Sequence, residues 1–236
     1  MALSNLNKVQ LSLTGHYFVT GTDTEIGKTT TTTALVKNLA KQGKSVYAIK
    51  PVTAGLVTDN QGNQYSDDAQ RINQFASIKP PISAIAPIQL TTPSSPHIAA
   101  NIDGVSLSKN QIITTIQHTL QDYPADVVLI EGAGGWFTPI NDFETLADVA
   151  IALNCPVIVV VGIKLGSLNH AVLTLQAIWQ AGLTVASVIL NQLSDDTAFF
   201  DEQIDWLKNY IGNQANQYHQ PMPQLFCQSF QANQNM

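Results

Sequence analysis

YFVTGTDTEIGKTT, residues 17–30, is the stretch that decides the fold of this chain. Its apolar beginning predicts a buried strand, the polar part between Gly21 and Gly27 predicts a turn, and the residues after Gly27 predict a helix. In such an arrangement, backbone N–H groups and the helix dipole favour a bound anion. Lys28 can reach the outer phosphates of a nucleotide, and the hydroxyl of Thr29 can ligate Mg²⁺. The stretch therefore predicts a phosphate-binding loop.

The spacing of the two glycines departs from the usual loop of this kind. Five residues separate Gly21 from Gly27, so the loop is one residue longer than the usual pattern. The alternative interpretation is a glycine turn followed by an exposed lysine. The strand before the turn, the helix after it and the hydroxyl residue directly after Lys28 favour nucleotide binding.

Length and composition bound the class of protein. A chain of 236 residues, 44% hydrophobic and 12% charged, suits one large α/β domain or two small ones. Its formal net charge of −6 argues against nucleic acid as the main partner, because a phosphate backbone needs a basic surface. Cys155 and Cys227 lie in no CxxC or Cys/His cluster, which is typical of a reducing compartment. Without a visible signal peptide or membrane-length apolar run, we expect a cytoplasmic protein with no membrane partner.

Strands and helices alternate along the chain, and the strands are continuous apolar runs. This pattern indicates a parallel sheet covered by helices on both faces. We therefore expect an α/β, P-loop NTPase-like fold with a single domain over 15–236, after a loose N-terminal extension at 1–14. The predicted strands are 16–21, 45–50, 126–131, 156–163, 183–191 and, more weakly, 222–226. The predicted helices are 27–42, 106–122, 143–153, 167–181 and 197–211, with others starting at Ser66 and Ser95, and 54–65 is predicted to be a loop.

The ends of these strands identify the candidate site, because ligands of parallel α/β sheets bind beyond the carboxyl ends of the strands. Glu131 ends an apolar strand and is followed by glycines that let the backbone approach a ligand. A carboxylate opposite a phosphate loop can ligate Mg²⁺ or orient water. Lys50 ends another strand, and together with Lys28 it could flank a phosphoryl group in transfer. A solvated lysine at a strand end fits the position of Lys50 equally well.

Two neighbouring acids, Asp67 and Asp68, follow Ser66 at the start of a predicted helix. Acids in a first helical turn are usually structural. Either one could instead add a carboxylate to a Mg²⁺ site, since Mg²⁺ takes oxygen ligands from few side chains together with phosphates. The histidines show no metal-ligand spacing, so no zinc site is predicted. No Ser/His/Asp or Cys/His arrangement supports covalent catalysis.

Several segments, in order along residues 16–192, together resemble the dethiobiotin synthetase family. Each segment alone is moderate evidence, but the set is specific to that enzyme rather than to phosphate-loop proteins in general. The segments are GTDTEIGKT at 21–29, KPV at 50–52, PSSPH at 93–97, EGAGGW at 131–136, and VGIKLG at 161–166 followed by Asn169 and His170.

The resemblance implies a ring-closing ligase that depends on ATP and Mg²⁺. The substrate of the family is 7,8-diaminononanoate, one amine of which takes up CO₂, supplied as bicarbonate, to form a carbamate. ATP phosphorylates the carbamate, and the second amine displaces phosphate to give the cyclic urea of dethiobiotin. The family is a homodimer with the site at the subunit interface.

Position by position, the resemblance also assigns the nucleotide and metal contacts. Asp68 is preferred to Asp67 as a metal ligand because its spacing to Pro93 fits better, although Asp67 stays open. The phosphate contacts are Glu25, Ile26, Gly27, Lys28, Thr29 and Thr30, with Gly132, Ala133 and Gly134 beside the nucleotide. The metal ligands are Thr29, Asp68 and Glu131. The adenine contacts are Asn191 and Gln192, with Pro223, Gln224 and Leu225 as weaker candidates.

On the substrate side, the resemblance makes Lys50 the catalytic lysine that stabilises the carbamate and the phosphoryl group. Lys28 assists on the phosphates. The extra residue of the phosphate loop brings Thr24 towards the diamine. The remaining substrate contacts are Thr53 and Ala54, together with Gly166 and Asn169 in the stretch where the partner subunit would meet the substrate carboxylate.

Three features depart from the family pattern. Ala54 stands where the family often has serine, so a hydroxyl contact is lost or shifted to Thr53. Gln192 stands where the family often has aspartate, which leaves the nucleotide preference open. The C-terminus, rich in glutamine and asparagine, matches poorly.

Other interpretations of the phosphate loop remain. A regulatory or partitioning-type P-loop ATPase would carry an extra lysine early in the loop, where this chain has Thr22, Asp23 and Thr24. A nucleotide-dependent amidoligase, such as a relative of cobyrinic acid synthase, usually carries a glutaminase domain, for which 236 residues leave no room. A non-catalytic binding protein would not need Lys28, Lys50 and Glu131 together.

Overall fold

The computed structural model of the protein describes residues 4–6 and 10–228. Its strands are β1 Ser4–Asn5, β2 Gly15–Gly21, β3 Val46–Ile49, β4 Val52–Ala54, β5 Val57–Thr58, β6 Gln64–Tyr65, β7 Ile88–Leu90, β8 Val127–Glu131, β9 Val157–Ile163, β10 Val185–Gln192 and β11 Gln224–Gln228. Its helices are α1 Lys28–Lys41, α2 Asp67–Phe75, α3 Ile82–Ile85, α4 Pro96–Asp103, α5 Lys109–Asp122, α6 Leu146–Leu153, α7 Ser167–Gln180 and α8 Phe200–Gln217. Within these residues, no helix combines the length and the apolar character that a membrane crossing requires.

One parallel sheet organises the chain. Its strand order is β1-β11-β10-β9-β2-β8-β3, and helices flank it. The predicted single-domain α/β fold with a parallel sheet is therefore confirmed. Because β2 lies between β8 and β9, the phosphate loop at its end is flanked by the ends of both neighbouring strands.

The central strands are buried from end to end. Every residue of β3, β8 and β9 is buried, which is why their sequences run continuously apolar instead of alternating. Each fully buried Val, Leu or Ile side chain contributes roughly 1.5–3 kcal/mol relative to an exposed one. This rigid core fixes the strand ends on which the candidate site is built.

Helix starts follow the capping residues more closely than the hydrophobic pattern. The Ser108 side chain accepts a hydrogen bond from the backbone N–H of Gln111 at 3.2 Å, so α5 begins after the predicted position 106. The Asp148 carboxylate accepts from the backbone N–H and the hydroxyl of Thr145 at 2.7 and 2.9 Å, so α6 begins after position 143.

Two short pairings correct the sequence-based expectations. The predicted loop at 54–65 contains an antiparallel pair, β5 with β6. The proline-rich stretch at 79–97 contains α3 and also β7, which pairs in parallel with β4. Strands of two or three residues depend on their partners for stability, so a local pattern does not reveal them.

The N-terminal extension packs against the sheet, and the expectation that it is loose is wrong for its described residues. Leu6, Leu11 and Leu13 are buried in the main core. Strand β1 pairs in parallel with β11, and the Asn38 side chain donates to the backbone oxygen of Leu6 at 2.8 Å. The domain boundary at residue 15 stays a prediction. The described part of the extension and the rest of the chain share one hydrophobic core.

Replacing Leu6 by alanine should destabilise the protein. Leu6 is completely buried, so the truncation should lower the free energy of unfolding by about 2–5 kcal/mol. Urea denaturation of Leu6→Ala and of the control Ile102→Ala, whose side chain is 65% exposed, measures this difference. Equal stability of the two variants would show that the N-terminal segment does not belong to the core.

Candidate functional site

The loop between β2 and α1 has the backbone shape of a phosphate-binding loop. Gly27, the residue before α1, has a φ of 83°, and Glu25 has a φ of 58°. Left-handed turns of this kind aim N–H groups at one concave side, where the N-terminus of α1 adds its dipole. At Glu25 this conformation costs on the order of 1–2 kcal/mol, because its side chain crowds the backbone. The loop therefore stores strain where an anion would bind.

Asn191 explains why position 27 is a glycine. The Nδ2 atom of Asn191 donates to the backbone oxygen of Ile26 at 2.7 Å. A Cβ atom on Gly27 would lie 2.2 Å from that nitrogen, so a larger residue would displace Asn191. The side chain of Asn191 is buried and supports the loop from the end of β10. Its predicted contact with adenine stays a prediction.

Lys28 begins α1 as a buried cation. Its Nζ donates to the backbone oxygen of Asp23 at 2.8 Å. Burial lowers the pKa of Lys28 to about 8, and the negative charge of Glu131 opposes this shift only in part. Since the acceptor of its hydrogen bond is an uncharged carbonyl, an anion at the loop would stabilise the charged lysine.

Lys50 and Glu131 form a buried ion pair at adjacent strand ends. The Lys50 Nζ lies 3.0 Å from Glu131 Oε1 and 3.4 Å from Thr29 Oγ1, and it also forms an ion pair with Asp68. The Thr29 hydroxyl donates to the same Glu131 oxygen at 2.8 Å. Because β8 pairs with β3 on one side and β2 on the other, these side chains meet at one edge of the sheet.

The charges of this cluster stabilise one another. Burial alone would lower the pKa of Lys50, but the negative charges of Glu131 and Asp68 outweigh it and raise that pKa. Burial alone would raise the pKa of Asp68, but the positive charge of Lys50 together with hydrogen bonds from Lys50 and Thr29 outweighs it and lowers that pKa. At neutral pH the cluster therefore contains an ammonium ion and a carboxylate in direct contact.

The structure separates Asp68 from Asp67, which the sequence left open. The Ser66 hydroxyl accepts from the backbone N–H of Ala69 at 3.3 Å, and this cap sets the phase of α2. Asp68 then contacts Lys50, whereas the Asp67 side chain is 57% exposed and lies 4.0 Å from Arg71. Asp68 thus belongs to the site, and Asp67 forms a weak surface pair.

A cavity of ≈ 620 Å³ collects most of the predicted site residues. The predicted residues that line it are Thr24, Glu25, Gly27, Lys28, Thr29, Thr30, Lys50, Thr53, Ala54, Asp68, Ala133 and Gly134. The predicted residues Ile26, Glu131, Gly132 and Asn191 are buried and do not line it. Gly166, Asn169, Gln192, Pro223, Gln224 and Leu225 do not line it either.

Several residues that line this cavity were not predicted from the sequence as site residues: Arg71, Ser94, Ser95, Pro96, Thr138 and Pro139. Arg71 could have been found, because it lies one helical turn after Asp68. Thr138 had no local signal. Thr138 packs directly against Gly134, which has a φ of 60°. A Cβ atom on Gly134 would lie 2.4 Å from Thr138 Oγ1, so only glycine leaves room for this contact.

The hydroxyl of Thr53 already has a hydrogen-bond partner inside the protein. Thr53 Oγ1 lies 3.0 Å from Ser66 Oγ, and the side chain is buried. Ala54 lines the cavity with a methyl group. Of the two possibilities for this contact, loss or a shift by one residue, the geometry favours loss.

An ion pair joins the loop after β9 to the phosphate loop. Lys164 Nζ lies 2.9 Å from Asp23 Oδ2, and Asp23 Oδ1 accepts from the backbone N–H of Thr24 at 2.8 Å. The hydrogen bond from Lys164, followed by that from Thr24, lowers the pKa of Asp23. The stretch with Gly166 and Asn169, which begins α7, is thereby held beside the phosphate loop.

The comparison with protein families decides the wider relationship. Residues 15–219 match the family AAA_26, described as an AAA domain. The chain belongs to this AAA domain family. The match includes the phosphate loop, the Lys50–Asp68–Glu131 cluster and all the residues that line the cavity of ≈ 620 Å³.

Solved structures similar to this AAA domain include three of low sequence identity. A ParA family ATPase from Chlorobium tepidum is 14% identical, with 94% of this chain and 88% of that chain covered and a TM-score of 0.48. A chain of the MinC:MinD cell division protein complex from Aquifex aeolicus is 14% identical, with 82% of this chain and 77% of that chain covered and a TM-score of 0.47. The signal recognition particle receptor FtsY from Elizabethkingia anophelis, in complex with GDP, is 18% identical, with 81% of this chain and 52% of that chain covered and a TM-score of 0.44. The chain therefore spans about half the length of this FtsY chain.

The AAA domain should become more stable when Lys28 is replaced by methionine. In the folded state burial lowers the pKa of Lys28 from 10.5 to about 8. Below about pH 8, folding therefore buries a charged ammonium group, which costs free energy. The variant should gain on the order of 1–3 kcal/mol near neutral pH. The gain should shrink as the pH rises from about 8 towards 10.5, because the wild-type lysine then loses its proton on folding.

Urea denaturation at several pH values measures this effect, and Lys41→Met provides the control. Lys41 is exposed in the last turn of α1, so its replacement should change stability little at any of these pH values. A loss of stability in Lys28→Met at neutral pH, or a gain that is constant with pH, would contradict the assignment of a buried, destabilising charge.

Proposed function

We propose that this protein is a dethiobiotin synthetase, an ATP- and Mg²⁺-dependent ligase that closes a ring on 7,8-diaminononanoate with CO₂. One observation carries the proposal: the Lys50–Asp68–Glu131 cluster opens onto the same cavity as the phosphate loop. A nucleotide switch needs only the loop, whereas a cavity of ≈ 620 Å³ with a second lysine also has room for another reactant. The AAA_26 family, which includes dethiobiotin synthetase-like members, supports the assignment.

ATP is held chiefly through its phosphates in this proposal. The loop from Glu25 to Thr30 supplies backbone N–H groups and the N-terminus of α1, and Lys28 supplies a buried positive charge. The backbone of Gly132, Ala133 and Gly134 borders the nucleotide. The adenine lies near Asn191 and Gln192 at the end of β10. The weaker candidates Pro223, Gln224 and Leu225 do not fit this position, because β11 runs parallel to β10 with Gln224 opposite Ser187 and Gln228 opposite Asn191, which places them at the other edge of the sheet.

The oxygen atoms around Lys50 fit a magnesium ion. Glu131 is completely buried, and its Oε2 atom has no hydrogen-bond partner among the described residues. Thr29 Oγ1 and the Asp68 carboxylate lie in the same cluster. A hydroxyl and two carboxylates are the ligands that Mg²⁺ takes when phosphates complete its shell. The ion would neutralise charge on the phosphates during transfer.

The reaction proceeds by positioning and charge neutralisation. One amine nitrogen bonds to the carbon of CO₂ and loses a proton, and the carbamate oxygen then bonds to the terminal phosphorus as ADP leaves. The second amine attacks the same carbon and expels phosphate, which closes the urea ring. Lys50 stabilises the carbamate and the moving phosphoryl group, and Thr24, Thr53 and Ala54 border the diamine.

A homodimer completes the site in this proposal. Gly166 and Asn169 lie outside the cavity of ≈ 620 Å³, so they serve the carboxylate of a substrate bound by the other subunit. Three large apolar side chains near this end of the molecule are exposed: Phe137, Leu165 and Leu173. Phe137 and Leu173 also border a second cavity of ≈ 740 Å³. An exposed apolar surface of this kind suits a protein interface.

A phosphate-release assay with ATP, Mg²⁺ and bicarbonate tests the function. Adding 7,8-diaminononanoate should start phosphate release, with one phosphate formed for each dethiobiotin, because the carbamate is the phosphoryl acceptor. 1,8-Diaminooctane, whose amines cannot close a five-membered urea, is the matched control and should leave the rate at its background. Phosphate release at the same rate with and without the diamino acid would instead indicate a regulatory or partitioning-type ATPase.

Asp68→Asn and Asp67→Asn form a matched pair that tests the metal site. Asp68 contacts Lys50 in the cluster, whereas Asp67 is exposed beside Arg71. We expect Asp68→Asn to lower diamine-dependent turnover by roughly 100-fold at a fixed Mg²⁺ concentration. Asp67→Asn should keep nearly full activity. The reverse result would move the metal ligand to Asp67 and would contradict the cluster as the reaction centre.

A further inference from the structure

The oxygen atoms proposed for Mg²⁺ already hold a cation that belongs to the chain. The ammonium group of Lys50 contacts Glu131 Oε1 at 3.0 Å, Thr29 Oγ1 at 3.4 Å and the Asp68 carboxylate. These three side chains are the same three that the proposed function assigns to the metal ion. Lys50 is only 8% exposed, so its ammonium group meets these oxygens away from bulk water.

We propose that Lys50 keeps divalent metal ions out of this site in the free protein and leaves it only when the metal arrives with a nucleotide. The inference rests on the metal ligands of the proposed function. Mg²⁺ binds oxygen at about 2.0–2.1 Å, so an ion on these oxygens would stand next to the ammonium group. Two positive charges at such a short distance inside a protein repel each other strongly. The site therefore accepts either the lysine or the metal.

Nucleotide phosphates shift this balance in favour of the metal. They bring several negative charges to the loop beside Thr29, and they provide a new anionic partner for the displaced ammonium group. The backbone of Lys50 need not move, because its N–H donates to the backbone oxygen of Ile85 at 2.8 Å and the long side chain can turn. The Oε2 atom of Glu131, which has no hydrogen-bond partner within 4–6 and 10–228, remains available to the incoming ion.

This exchange has a chemical consequence for the proposed reaction. While Lys50 binds Asp68 and Glu131, its charge is compensated and cannot stabilise a carbamate. Metal and nucleotide together release it into the cavity that both reactants share. The lysine thus becomes active only when the phosphoryl donor is bound.

Manganese binding followed by electron paramagnetic resonance tests the inference without any turnover. Mn²⁺ is titrated into the nucleotide-free wild type, Lys50→Met and Lys41→Met, each with and without ADP. Lys41 is exposed in the last turn of α1, so Lys41→Met controls for a general loss of positive charge. Without ADP, Lys50→Met should bind Mn²⁺ roughly tenfold or more tightly than the other two proteins. ADP should bring tight Mn²⁺ binding to the wild type.

Three further proteins keep the test decisive. The double variant Lys50→Met/Glu131→Gln should lose the gained affinity, which shows that the new site uses these oxygens. Lys50→Gln removes the charge but keeps hydrogen bonding, and it replaces Lys50→Met if that variant does not fold. Tight Mn²⁺ binding by the nucleotide-free wild type that is lost in Glu131→Gln would overturn the proposal. Equal Mn²⁺ affinity of the wild type and the Lys50 variants would overturn it too.

The outcome is separate from that of the proposed function. A wild type that shows this ADP-dependent Mn²⁺ binding but no diamine-dependent phosphate release would retain the lysine–metal exchange and lose the synthetase assignment. A wild type that turns over the diamino acid but binds Mn²⁺ as tightly as Lys50→Met would retain the synthetase and lose the exchange.

Discussion

The complete burial of Glu131 is the constraint on which this site depends. A carboxylate with no exposed surface needs a cation beside it, and breaking such a pair by removing one partner costs about 3–5 kcal/mol. Lys50 supplies that cation at 3.0 Å. The pair contributes little net stability, because both charges lose their water. Its effect is to fix an ammonium group and a carboxylate at one point of the cavity before any ligand binds.

The topology of the sheet provides this pair with its surroundings. Strand β8, which ends in Glu131, lies between β3, which leads to Lys50, and β2, which leads to the phosphate loop. Because the strands are parallel, their carboxyl ends meet at one edge. Helix α2 then adds Asp68 to the same point. A cluster of three charged side chains thus arises from elements that are far apart in sequence but meet at one edge of the sheet.

Much of the fold and part of the site follow from local sequence patterns. Continuous apolar runs gave the central strands, and glycines with a following Lys28 gave the loop. The choice of Asp68 over Asp67 needed the phase of α2, which the Ser66 cap sets. The packing of β1 on β11 depends on contacts between the two ends of the chain, so no local pattern predicts it. Arg71 was missed because a helical charge is usually a solvated one.

Three features of the free protein that cost stability lie where ligands are proposed to bind. Glu25 has a strained backbone, Lys28 carries a charge with an uncharged acceptor, and a buried oxygen of Glu131 has no partner among the described residues. Phosphates would relieve the first two, and a metal ion would satisfy the third. Such costs persist at functional sites because the surrounding core enforces them. Binding of phosphates and a metal ion would therefore remove costs that the fold imposes on the free protein.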